Sequence, residues 1–176
     1  MSAKIDIRII ITNHLKTLVD TNGKVVHSDY FIFFFLPSAI AIFFAYKNYV
    51  LNSNVVSTLI NFGAIFSALL ISVLIMVYDQ YQKLCHSQIA NEDIASIKDI
   101  ERRKTIIQQM YHNISYCILL SIILVVCALL YQAVESSYSL SRYVLMPLNV
   151  FITGNLLLTI LMVLKRTYLL ITTTKA

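Results

Sequence analysis

The chain has 176 residues, of which 58% are hydrophobic and only 13% are charged, and its formal net charge is +5. Soluble domains carry about 25% charged residues, so this composition excludes an ordinary soluble protein. Long apolar runs without alternation and a content of three glycines and two prolines also exclude an outer-membrane barrel and predict an all-α membrane protein.

Four apolar segments have about the 20 residues that cross a hydrocarbon core of roughly 30 Å. They cover residues 30–46, 55–78, 114–132 and 143–164 and contain no Asp, Glu, Lys, Arg or His. Tyrosines lie at their ends, as expected at the two membrane interfaces. We therefore predict a polytopic protein with four transmembrane helices. The lack of ionisable groups at membrane depth argues against a proton relay or an intramembrane catalyst.

The positively charged residues predict the orientation. Twelve of the fourteen Lys and Arg residues lie before the first span, between the second and third, or after the fourth. Positive flanks stay in the cytoplasm, so both termini are expected there. The predicted parts are a cytoplasmic amphipathic segment (1–29), a first transmembrane hairpin (30–78), a cytoplasmic helical connection (79–113), a second transmembrane hairpin (114–164) and a cytoplasmic tail (165–176).

An amphipathic helix is predicted over residues 5–20. Apolar side chains recur at helical spacing at Ile7, Ile10, Ile11, Leu15 and Leu18. Such a helix is typical of a segment lying in the membrane interface. It can serve as an anchor for the bundle, or alternatively as a gating or partner-binding helix.

The connection 79–113 is predicted to be a helical hairpin that turns near Ala90 and Asn91. Asn91 is a suitable N-cap, and Glu92 and Asp93 would lie in the first helical turn. The second span is expected to continue as helix into this hairpin, and the hairpin's second helix to lead into the third span.

Three consecutive bases, Arg102, Arg103 and Lys104, precede the third span. Membrane topology and the helix dipole account for them without a ligand. The alternative is a cytoplasmic anion site that these residues form with Lys98, Lys165 and Arg166. In a symmetric oligomer such charges would repeat around an axis and could bind a nucleotide or the phosphates of an oligonucleotide.

Small and neutral polar residues recur at helical spacing within two spans. They are Ser57, Asn61, Ala64, Ala68 and Ser72 in the second span, and Asn149 and Thr153 in the fourth. Such stripes either let helices pack closely or line a wet path. A pore would require an oligomer, because four helices enclose little more than their own side chains.

Enzyme and cofactor motifs are missing from the sequence. It has no glycine-rich phosphate loop, no HExxH and no paired-cysteine motif. Cys85 and His86 lack further ligands at metal-binding spacing. We therefore expect no catalytic residue, no metal site, no cofactor and no disulfide.

The segments LKTLVDTNGKVVHSDYFIFFFLP and LMVLKRTYLL, within their four-span context, resemble small membrane proteins of bacterial antiphage defence systems. The channel component of the Hailong system, controlled by short DNA oligomers, is of this type. The resemblance implies a homo-oligomeric and normally silent channel, whose gate is set by a cytoplasmic ligand or partner.

The expected function is therefore a channel or pore-forming effector in the inner membrane. We expect a homo-oligomer, with a tetramer favoured, and a cytoplasmic nucleotide, oligonucleotide or soluble sensor protein as its regulator. The alternative is a non-conducting immunity or anchoring protein that binds a toxin or a soluble partner.

Overall fold

The computed structural model describes residues 6–18, 27–90, 94–134 and 139–173, and every regular element in those ranges is helical. The elements are α1 (Arg8–Lys16), α2 (His27–Tyr46), α3 (Ser53–Ala90), α4 (Ile94–Ala133) and α5 (Met146–Thr173), with a π-helical turn at Ser141–Leu145 before α5. The predicted all-α class is confirmed.

Among the described residues, three helical stretches are long and apolar enough to cross a membrane. They are Ser53–His86, Ile100–Ala133 and Ser141–Leu170. The prediction of a multi-pass membrane protein agrees with these three helices. α2 holds a shorter apolar stretch, Phe31–Tyr46, so the first of the four predicted spans, residues 30–46, stays a prediction.

α3 and α4 are much longer than the spans predicted within them. α3 has 38 residues and α4 has 40. At about 1.5 Å per residue both are roughly 60 Å long, twice the thickness of a hydrocarbon core. The segment after Tyr78 is helical, as expected, and α3 ends at Ala90. The predicted cap at Asn91, with Glu92 and Asp93, lies outside the described residues.

α3 approaches α4 closely at small residues. A Cβ added to Gly63 would lie 2.7 Å from Val125 Cγ2 and 3.0 Å from the carbonyl oxygen of Ser121. About one turn further along α3, the hydroxyls of Ser67 and Ser121 lie 2.7 Å apart. Close approach together with an interhelical hydrogen bond is a common way for membrane helices to associate. The stripe that packs α3 against α4 therefore contains Gly63 and Ser67.

α4 is the central helix of the bundle. In the most apolar 18-residue stretch of α4, 50% of the stretch is buried, whereas only 11% of the corresponding stretch of α3 is buried. Its buried residues, including Cys117 and Leu124, form a core with Ile152 and Leu156 of α5. α3 is consequently peripheral, and most of its surface is available to lipid or to another subunit.

α1 docks on the bundle with polar side chains facing inward. His14 and Thr17 are only 1% and 3% exposed, and Leu18 is also buried. Ile7 and Ile11, which the sequence places on the apolar side, are 44% and 38% exposed. The buried face of α1 therefore combines the polar side chains of His14 and Thr17 with Leu18 and with Ile10, which packs against the core.

Candidate functional site

The predicted stripe on α3 forms an outward face of the bundle. Its five members, Ser57, Asn61, Ala64, Ala68 and Ser72, are all exposed. The Ser72 hydroxyl donates to the carbonyl of Ala68 at 3.3 Å. The side-chain amide of Asn61 makes no hydrogen bond to any residue that the structure describes. We call these five residues the α3 polar face.

The two predicted residues of α5 lie in a different environment. Asn149 is fully buried and donates from Nδ2 to the carbonyl of Leu145 at 2.8 Å. Thr153 is half-buried, and its hydroxyl donates to the carbonyl of Asn149. Asn149 Oδ1 is buried without a partner among the described residues. The structure therefore separates this pair, in the interior, from the exposed α3 polar face.

The predicted basic residues also have unequal surroundings. Arg102 and Lys165 are exposed, whereas Arg103 is half-buried. Lys104 is half-buried as well, and its Nζ lies 5.7 Å from the centre of the Tyr81 ring, in cation–π range. The side chain of Lys98 lies outside what the structure describes.

Arg166 differs from its neighbour Lys165 because its guanidinium is turned inward. Arg166 Nη2 donates to the carbonyl oxygen of Thr17, just beyond the end of α1. The carbonyl end of a helix favours a nearby cation, so Arg166 stabilises the docked position of α1.

Arg166 belongs to a buried polar cluster that the sequence did not predict, which we call the docking cluster. It comprises His14 and Thr17, Asn113 and Tyr116 of α4, and Asn155 and Arg166 of α5. His14 Nδ1 lies 2.9 Å from Asn113 Oδ1. The Thr17 hydroxyl lies 2.6 Å from the same oxygen and 2.7 Å from the His14 carbonyl. In the tautomer with its proton on Nδ1, His14 donates to this amide oxygen.

The docking cluster contains a positive charge and no carboxylate. Burial is the main cause that lowers the pKa of His14 to about 4, and the charge of Arg166 acts in the same direction, while the hydrogen bond with Asn113 opposes them. His14 is therefore neutral near pH 7. Asn113 Nδ2 and Arg166 Nη1 are buried without a partner among the described residues. The cluster thus holds α1 through a network in which not every donor is satisfied.

The arrangement fastens α1 to the bundle. The sequence signal of the docking cluster was weak. It consists of polar pairs three residues apart, His14 with Thr17 and Asn113 with Tyr116, at the edges of apolar segments.

Comparison of the chain with protein-family models, with curated proteins and with solved structures gave no match.

Proposed function

We propose that the chain forms a homo-oligomeric channel or pore in the bacterial inner membrane and acts as an effector in antiphage defence. In this proposal α2 is the first of four transmembrane spans and both termini are cytoplasmic. The distribution of Lys and Arg supports this orientation. The observation that carries the proposal is the exposure of the α3 polar face on an otherwise apolar helix.

Asn61 gives the strongest reason to assign this face a role outside the chain's own packing. An amide without a hydrogen bond in an apolar medium costs about 2–7 kcal/mol. Water in a pore, or a polar group of a second subunit, would remove that cost. Gly63 and Ser67 already make the contact with α4, so the face of Asn61 is left for water or a neighbouring copy.

A pore lined by this face requires several copies, and we favour a tetramer. The small side chains of Ala64 and Ala68 would leave room for water, while Ser57, Asn61 and Ser72 supply neutral hydrogen-bonding groups. No Asp, Glu, Lys, Arg or His lies within the predicted span 55–78, so selectivity would depend on pore width and on neutral dipoles.

Gating is proposed to come from the cytoplasmic side. The basic residues of the connection and the tail, Lys98, Arg102, Arg103, Lys104 and Lys165, would bind a nucleotide, an oligonucleotide or an acidic surface of a soluble sensor protein. The exposure of Arg102 and Lys165 supports this proposal.

Current through a planar bilayer tests the proposal. Wild-type protein should give discrete currents that respond to short oligonucleotides or nucleotides on the cytoplasmic side, and Asn61→Leu should abolish them without preventing insertion. Thr58→Val is the matched control, because the Thr58 hydroxyl is exposed on the same helix but already bonds to the carbonyl of Asn54 at 2.8 Å.

Equal currents in wild type and Asn61→Leu would remove the pore-lining assignment. A silent wild-type protein under every ligand would instead favour the non-conducting immunity or anchoring function.

A further inference from the structure

α2 contains a helical hydrogen-bond gap at Pro37. Proline has no N–H, so the carbonyl of Phe33, four residues earlier, has no donor within the helix. Phe33 and Pro37 are both buried. An unpaired carbonyl in such a place is costly, and a helix bends most easily where this bond is missing.

α5 fills the gap from outside the helix. Asn155 Nδ2 donates to the Phe33 carbonyl at 3.2 Å. The preceding residue, Gly154, makes room for the proline, because a Cβ added there would lie 3.1 Å from Pro37 Cβ. Two adjacent residues of α5 therefore supply both the hydrogen bond and the space that α2 needs at this point.

Asn155 is oriented by α4. Its Oδ1 accepts a hydrogen bond from the Tyr116 hydroxyl at 3.2 Å, which leaves Nδ2 directed at Phe33. The amide is completely enclosed, at 1% exposure. Loss of the Tyr116 hydroxyl would remove one hydrogen-bond partner of the Asn155 side chain. The hydrogen bond from Asn155 to the Phe33 carbonyl would then weaken.

Tyr116 is in turn held by α1. The imidazole of His14 stacks on the Tyr116 ring and also makes an edge contact with the ring of Phe33, with centroids 6.3 Å apart. Tyr116 and Asn155 form a hydrogen-bonded bridge from α4 to the Phe33 carbonyl of α2. Through His14, α1 therefore contacts the residue at each end of this bridge, Tyr116 and Phe33. The four helices α1, α4, α5 and α2 are joined in that order by buried contacts.

We propose that Tyr116 and Asn155 couple the docking of α1 to the conformation of α2 at Pro37. When α1 leaves the docking cluster, the Tyr116 ring loses its stacking partner, Asn155 loses its fixed orientation, and α2 becomes free to bend at Pro37. The coupling is a property of the fold, and its use as a gate depends on the proposed channel function.

Hydrogen exchange of α2, measured by mass spectrometry on protein in nanodiscs, tests the coupling. Tyr116→Phe keeps the ring and removes only the hydroxyl. It should speed exchange in residues 34–41 by about three- to tenfold, the effect of losing one intramolecular hydrogen bond. His14→Leu, which perturbs α1, should speed the same residues in the wild-type background and add little to Tyr116→Phe.

Tyr131→Phe is the matched control. Tyr131 is also a buried tyrosine of α4, and its hydroxyl accepts from the backbone N–H of Leu51 at 2.9 Å, away from Pro37. This variant should leave exchange of residues 34–41 unchanged. In a Pro37→Ala background the Phe33 carbonyl regains a helical donor, and Tyr116→Phe should no longer affect α2.

The coupling is refuted if Tyr116→Phe and Tyr131→Phe change residues 34–41 equally, or if His14→Leu leaves them unchanged. Bilayer currents of the same proteins separate this result from the channel proposal. A conducting wild type without the exchange effect removes the coupling alone. The exchange effect in a protein that never conducts leaves the coupling intact and removes the channel.

Discussion

The imidazole of His14 stacks on the phenol ring of Tyr116, with 3.9 Å between ring centroids and 8° between ring planes. The two side chains join α1 to α4 across the docking cluster. Neither ring of this stacked pair carries a charge near pH 7. The charge that acts on His14 is that of Arg166. A proton on His14 would add a second buried positive charge, so the docking of α1 depends on pH.

Docking of α1 should weaken as the pH falls. The pKa of His14 is 6.5 when free and about 4 when docked, mainly because docking buries the ring. The undocked state thus binds the proton more readily, so stabilisation is complete above about pH 6.5 and is lost progressively towards pH 4. The full difference corresponds to about 3 kcal/mol. Hydrogen exchange of residues 8–18, corrected for intrinsic rates, measures it.

His14→Gln is the control for this pH dependence, because it retains a polar side chain that does not titrate in this range. Its α1 should show the same protection at pH 7.5 and pH 5. A slope as steep as that of the wild type would mean that another group is responsible.

Thr17→Val should loosen α1. The substitution keeps the shape of the side chain but removes the hydroxyl that lies between the His14 carbonyl and Asn113 Oδ1. Loss of this buried contact should cost about 1–3 kcal/mol of docking free energy. Tryptic cleavage after Lys16, measured in nanodiscs, should accelerate. Thr12→Val, at an exposed position of the same helix, should leave the cleavage rate unchanged, and equal acceleration in both variants would contradict the role of Thr17.

Arg166 and Lys165 should respond differently to the same substitution. Arg166→Gln removes the cation at the carbonyl end of α1 and should increase exchange in residues 8–18 by at least about fivefold, as expected for about 1 kcal/mol. Lys165→Gln removes an exposed charge and should not change α1. If Lys165 serves the proposed ligand site, its substitution should weaken the ligand response of the current instead. Identical effects on α1 would show that charge near the membrane, rather than the contact with Thr17, is what matters.

Gly63→Ala should destabilise the contact between α3 and α4. The new methyl group would meet a side-chain carbon of Val125, which can move, and the backbone of Ser121, which cannot. Overpacking costs about 1–3 kcal/mol and would outweigh the gain of about 1 kcal/mol in helix propensity. Unfolding in mixed micelles measures the loss. Gly154→Ala, where the nearest contact is 3.1 Å from Pro37, should cost less, and the reverse order would contradict this packing.

The sequence predicted the helical class and the long apolar helices because both depend on composition and hydropathy along the chain. It also grouped Asn61 with Ser57 on one side of α3, but helical spacing does not reveal which stripe faces a neighbour. Gly63 and Ser67 form a second small stripe on the same helix, and the structure shows that this one packs on α4. The docking cluster was missed because His14 and Asn113 are 99 residues apart.

In the predicted topology, with the third span beginning at Ile114, the length of α4 would hold Arg102 well outside the membrane. From Arg102 to Ile114, the predicted start of the third span, the helix rises about 18 Å, while a headgroup layer adds only about 5–8 Å to the hydrocarbon. In that topology Arg102 would lie roughly 10 Å above the lipid phosphates, further than the Debye length of about 8 Å in physiological salt. Lipid charge is largely screened at that height. The predicted topology would therefore present the exposed charge of Arg102 to dissolved anions rather than to the bilayer.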